Sequence, residues 1–147
     1  MGYGPKLFLI ATLKDIGPRA QAAVPMLIEI IHSSARRSAF TVGQLRVSEV
    51  QQRTVEALGG IGSAAREAVP LLVELLQGED HNDSFDIYLR CALVRTLGAM
   101  GKAAQPALPA LRRVEADQTT DASRRRLATF KTEAVIAIEN AMRQPAP

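Results

Sequence analysis

Residues Gly60-Ile61-Gly62-Ser63-Ala64-Ala65 have the spacing G-x-G-x-x-A, the pattern with which dinucleotide-binding enzymes bring backbone amides against a pyrophosphate. That chemistry needs a strand before the loop and a βαβ unit around it. The preceding SEVQQRTVEAL instead carries apolar residues at helical spacing, with Ser48 and Gln51 placed as a capping box. No dinucleotide, and no other cofactor, is expected from this stretch.

Other reactive side chains are sparse. His32, His81 and Cys91 lack the close spacings of zinc ligands, so no metal is expected from them. In EDHNDSFD, the residues Asp80, Asn82, Ser84 and Asp86 alternate like the first ligands of a calcium loop. Phe85 stands where that loop needs glycine, and Cys91 where it needs a bidentate glutamate. The stretch reads as a turn in which Asp83 or Ser84 caps the next helix. No serine has a G-x-S-x-G context, and Cys91 falls on the apolar side of a helix, where thiols pack rather than react.

Arginines offer the remaining chemistry. Arg36-Arg37, Arg112-Arg113 and Arg124-Arg125-Arg126 are candidate anion contacts, chiefly Arg112, Arg124, Arg125 and Arg126, and on one edge they would track phosphates. Against a nucleic-acid partner, residues 46–86 carry three bases and eight acids and would interrupt such a track, whereas 87–147 carry ten bases and five acids. Arg112 and Arg113, near a helix C-terminus, also complement the helix dipole.

The elements that hold these side chains are set by repetition. LKDIGPRAQAAVPMLIEII from Leu13, LGGIGSAAREAVPLLVELL from Leu58 and LGAMGKAAQPALPALRRVE from Leu97 are copies of one unit. Gly17, Gly62 and Gly101 lie 45 and then 39 residues apart, and Pro25, Pro70 and Pro109 each follow their glycine by eight. Such a period belongs to stacked helix pairs. An apolar stripe precedes each glycine, as in Val50, Val55, Leu58 and Ile61, then Leu89, Leu93, Leu97 and Met100. The glycine ends that helix in a left-handed conformation, alanines 20, 22, 23, 64, 65, 68, 103, 104 and 107 let the returning chain come close, and each proline marks a bend from a short helical turn into the second helix. Leu27, Ile30 and Ile31, then Leu72, Leu75 and Leu76, then Leu111 and Val114 face inward.

In these segments the chain resembles HEAT-like repeats of the type first described in phycobilisome-lyase proteins, whose units read A-L-G-x-I-G-x-x-A-x-x-A-v-P-x-L. The resemblance spans about 130 of the 147 residues. It implies an all-α, right-handed α-solenoid of about three and a half repeats and seven helices. Its relatives include scaffolds, bilin-handling proteins, deoxyhypusine hydroxylase and alkylpurine glycosylases, so the fold does not choose a function. The hydroxylase's His-Glu pairs do not carry over, because His32 precedes Ser33 and His81 precedes Asn82. Glycosylases hold an extruded base with aromatic rings, and this chain has four Phe, two Tyr and no Trp.

Expected helices cover 5–16, 19–34, 48–60, 64–78, 84–100, 103–116 and 122–143, in a single domain over 1–147 with units at 5–34, 48–78, 84–116 and a terminal helix at 122–143. That half unit reads as a cap or as the cut end of a longer array, with a fragment slightly favoured because LFLI is apolar at once after MGYGP. No stretch approaches the apolar length of a membrane span, and a lone cysteine suits a reducing, cytoplasmic setting. In HEAT-like proteins the second helices line the concave side. Columns there pair an apolar row, Met26, Leu71 and Ala110, with a charged row, Glu29, Glu74 and Arg113, which suits a protein or peptide partner. The expectation is a non-catalytic interaction scaffold; the alternatives are a chromophore lyase-type subunit and a binder of anionic polymers through the Arg-rich C-terminal part.

Overall fold

A computed structural model describes residues 4–37, 44–77, 84–114 and 122–145. All are helical or in helix-end turns, with no strand among the described residues. Helices α1 (Gly4–Ile16), α3 (Gln44–Ile61) and α5 (Ser84–Met100) each end at one of the three repeat glycines. Gly17, Gly62 and Gly101 have φ of 67°, 71° and 56°. A left-handed backbone there costs other residues about 1–2 kcal/mol, which is why the unit returns to glycine at each reversal.

After each reversal the chain runs as a 3-10 helix, over Gly17–Ala23, Gly62–Ala68 and Gly101–Ala107. Three residues per turn place every third residue on one face, and here that face is Gly17, Ala20, Ala23, then Gly62, Ala65, Ala68, then Gly101, Ala104, Ala107. Ala65, Ala68, Ala104 and Ala107 are fully buried, and successive 3-10 stretches touch one another as a spine of small residues. Helices α2 (Val24–Arg37), α4 (Val69–Gln77) and α6 (Leu108–Arg113) follow, with Pro25, Pro70 and Pro109 as their second residues. Each proline stands where the 3-10 turn passes into the α-helix, a first-turn position that its fixed φ suits.

The expected helices over 19–34, 64–78 and 103–116 are therefore each divided, their first five residues belonging to the 3-10 helix and the α-helix starting at 24, 69 or 108. Helix α3 begins at Gln44, four residues before the expected start at 48, so residue 48 lies within the helix and not at its N-terminus.

Packing is consecutive. α1 lies on α3, α3 on α5, and α5 on α7 (Ala122–Arg143), while α2, α4 and α6 cover the opposite side against α3, α5 and α7. Leu27, Ile31, Leu58, Ile61, Leu72, Leu93, Leu97, Leu111 and Ile138 are wholly or almost wholly buried between the two layers. Burial of each such side chain contributes roughly 1.5–3 kcal/mol.

The first layer closes on glycine. A Cβ added at Gly60 would stand 2.7 Å from the Lys14 carbonyl oxygen of α1, and one at Gly98 would stand 3.0 Å from Ala134 Cα of α7. At Gly59 a Cβ would lie 2.9 Å from Thr96 Oγ1, whose hydroxyl donates to the Val55 carbonyl at 3.0 Å. The two glycines preceding Ile61 are thus contact surfaces between helices, which answers the dinucleotide-like spacing in mechanical terms.

Candidate functional site

Each repeated hairpin presents two faces, and the expected partner rows lie on that of α2, α4 and α6. There Glu29, Glu74 and Arg113 are exposed, one from each helix. The apolar row is not uniformly accessible. Met26 is 42% exposed, but Leu71 is 8% and Ala110 4% exposed, so both belong to the core and are corrected from surface to packing residues. The row offers a partner one methionine rather than an apolar strip.

The candidate anion-binding arginines are divided between surroundings. Arg112 donates from Nη2 to Glu139 Oε1 at 2.9 Å, tying α6 to the distal half of α7. Beside it Lys131 Nζ donates to the carbonyls of Arg112 at 3.1 Å and Val114 at 2.6 Å, capping the negative end of α6. That cap has no signature in the local sequence, since the lysine arrives from 17 residues away. Arg125 and Arg126 are exposed near the start of α7, and Arg126 turns toward α5 and α3. The side chains of Arg36, Arg37 and Arg124 lie outside the described residues, as do His81, the side chains of Ser84 and Asp86, and the rest of the calcium-like stretch. Among the described residues no three His, Cys, Asp or Glu groups converge as metal ligands.

One cleft, of about 350 Å³, lies at the joint of the 3-10 stretches against Val24, Pro25, Ala64 and Glu67, and the cleft that gathers the most polar and aromatic side chains lies on the face of the first helices. This second cleft, of about 280 Å³, opens where α3, α5 and α7 meet. α3 contributes Gln52 and Glu56, α5 contributes Tyr88, Cys91 and Arg95, and α7 contributes Arg126 and Phe130. Within each helix these residues are three or four apart, so each set shares one helix face. Core-forming residues such as Leu93, Leu97 and Ile138 occupy the opposite sides. The sequence signal for this face is the helical spacing of 88, 91 and 95 and of 126 and 130, which falls on the first helices of the units rather than on the second helices that carry the expected rows.

Electrostatics differ across the cleft. Glu56 is compensated, with Lys14 Nζ at 3.8 Å, Arg53 Nη1 at 3.7 Å and Gln52 Nε2 donating to it at 3.1 Å. On the other wall the Arg95 guanidinium stands over the Phe130 ring, 5.2 Å from its centroid, a cation–π contact. Among the described residues neither Arg95 nor Arg126 is paired with a carboxylate. Burial pushes the Cys91 thiol above its ordinary range, and the positive fields of Arg126, Arg95 and Arg90 oppose this without reversing it. The thiol therefore stays protonated at neutral pH and is a poor nucleophile. Arg95 also lines two shallower clefts, one over Gly59, Gly60 and Ala99 and one over Gly98 and Ala137, so a groove follows the glycine contacts across the helix layer.

A family model described as HEAT repeats matches residues 46–131. Comparison with curated proteins and with solved structures gives no match. Among the described residues no helix is long and apolar enough to cross a membrane.

Proposed function

The chain belongs to the HEAT-repeat family, and from that premise we propose that it is a non-catalytic scaffold that binds protein or peptide partners. The units are of the phycobilisome-lyase type, arranged as a right-handed solenoid, and they work by holding side chains from successive units at fixed separations. The observation that carries this reading is that the same glycine-pivoted hairpin, φ near 60–70° at each joint, sets three helix pairs in consecutive contact. Such a stack aligns equivalent positions into columns, as Glu29, Glu74 and Arg113, which is how repeat proteins build extended binding surfaces without a catalytic centre. A lone cysteine, Cys91, fits a reducing cytoplasmic compartment.

The test is partner capture from cell extract on the immobilised protein, comparing wild type with the Glu29→Lys, Glu74→Lys, Arg113→Glu triple variant. All three positions are exposed, so circular dichroism should be unchanged. Loss of a discrete captured protein from the variant is the expected result. Equal capture by both would remove the charged column from the interface, and absence of any captured protein from either would count against the scaffold reading itself.

A further inference from the structure

We propose that the cleft between α3, α5 and α7 is a peptide-docking site for a partner segment in which an acidic side chain stands next to a large apolar one. The inference rests on the protein-binding reading and moves the primary contact from the second helices of the units to the first.

Two features of the cleft select that occupant. The first is charge. Glu56 already has Lys14 and Arg53 as counter-ions, whereas Arg95 and Arg126 have no carboxylate partner among the described residues. The surplus on this wall is thus positive and complements an incoming carboxylate. Arg95, over the Phe130 ring, offers a planar fork of donors that matches a carboxylate. The second feature is apolar lining. Tyr88 is 55% exposed, and with Ile87, Ala92 and the half-buried Phe130 it walls the same cleft. Aromatic surface beside unpaired arginine is the composition at which interface hot spots concentrate. A volume of about 280 Å³ sits at the lower edge of small-molecule pockets, which run roughly 300–1,000 Å³. It accommodates one large side chain and its neighbour rather than a drug-sized cofactor, and the shallower clefts on either side leave room for backbone to run on.

Nucleic acid is the competing anion. It is disfavoured because Arg112 of α6 is engaged by Glu139 of α7 and does not line this groove, so that among the described residues the groove's cations are Arg95 and Arg126, beside an acidic residue, Glu56.

The experiment titrates the full chain with an N-acetylated, C-amidated peptide, Gly-Ser-Glu-Leu-Gly, and with its counterpart carrying glutamine for glutamate. Two signals are read: the arginine Nε–Hε and aromatic ring resonances, and the alkylation rate of Cys91, the only thiol in the chain and a wall of the cleft. The acidic peptide should shift the Arg95, Arg126, Tyr88 and Phe130 signals and slow alkylation. The glutamine peptide should bind about tenfold more weakly, as should the acidic peptide to Arg126→Gln, as expected for loss of a charge-assisted hydrogen bond. Arg125→Gln removes the same charge from an exposed neighbour that does not line the cleft and should bind like wild type. Equal affinity for both peptides, equal weakening by the Arg125 and Arg126 substitutions, or no change in any cleft signal would overturn the proposal. So would tighter binding of a thymidine 12-mer than of the acidic peptide at the same sites. Any of these outcomes leaves the capture experiment on the Glu29, Glu74 and Arg113 column able to succeed, so the two readings fail separately.

Discussion

The two faces of this molecule are built from the same repeat yet solve different problems. On the face of α2, α4 and α6, prolines and alanines repeat in register and the row beside them is largely core, with Leu71 and Ala110 buried. On the face of α1, α3, α5 and α7, each joint closes differently: Gly60 on Lys14, Gly59 on Thr96, Gly98 on Ala134. Regularity on the first face serves stacking. Variation on the second shapes the cleft lined by Tyr88, Arg95, Arg126 and Phe130, while another opens beside Pro25 where Gly17–Ala23 meets Gly62–Ala68. In a repeat protein, departures from the unit thus give each joint a surface of its own.

The comparison can be broken most forcefully in the core that the faces share. Leu97→Ala from the first layer and Leu72→Ala from the second both truncate fully buried side chains, and each should cost about 2–5 kcal/mol in urea unfolding. A much smaller loss for Leu72→Ala would mean that the second layer is not part of one cooperative core.

Glycine substitutions sharpen it next. At Gly60 the backbone is helical but the space is closed, with the Lys14 carbonyl oxygen 2.7 Å from a new Cβ. Overpacking of roughly 1–3 kcal/mol should outweigh the gain in helix propensity of about 1 kcal/mol at most, so Gly60→Ala is destabilising. At Gly62 a Cβ would make an ordinary contact, 3.8 Å from the Ala99 carbonyl oxygen, but φ is +71°. Gly62→Ala should lose about 1–2 kcal/mol through backbone strain alone. If Gly62→Ala were neutral while Gly60→Ala was costly, the pivots would owe their glycines to something other than conformation.

Thr96→Val keeps the shape of a buried side chain while deleting the hydrogen bond to the Val55 carbonyl. Its cost, near 1 kcal/mol, would show the α3–α5 joint to be polar as well as steric. The smallest effect concerns Cys91. Because burial raises its folded-state pKa, the folded protein favours the neutral thiol more than the unfolded chain does. That contribution is complete below the unfolded thiol pKa and fades as pH rises through the higher folded value. Unfolding midpoints should fall slightly more above pH 9 in wild type than in Cys91→Ala.

Much of this architecture was legible because chemistry and spacing agreed. Gly17, Gly62 and Gly101 could be read as reversals since no other residue takes that φ cheaply, and the stripes ending at Ile61 and Met100 are buried as spacing demanded except at Leu89, which is half-buried. The 3-10 stretches were hidden by their own composition. Alanines at a spacing of three suit either helix type, and only the chain's return against its neighbour decides between them. The Lys131 cap on α6 and the cleft around Arg95 and Phe130 depend on which helices become neighbours, information that no single repeat contains.

The most direct test of the stacked arrangement uses Gly59 and Thr96, where a Cβ placed at Gly59 lies 3.4 Å from Thr96 Cβ, close to the roughly 3.5–4.5 Å of disulfide-linked pairs. In a Cys91→Ser background, the Gly59→Cys, Thr96→Cys double variant should form an intramolecular disulfide under mild oxidation and stay monomeric on non-reducing gels, with thiol titration falling to zero. Two thiols that remain free in the folded protein, or that cross-link only between molecules, would contradict the adjacency of α3 and α5 on which the whole account depends.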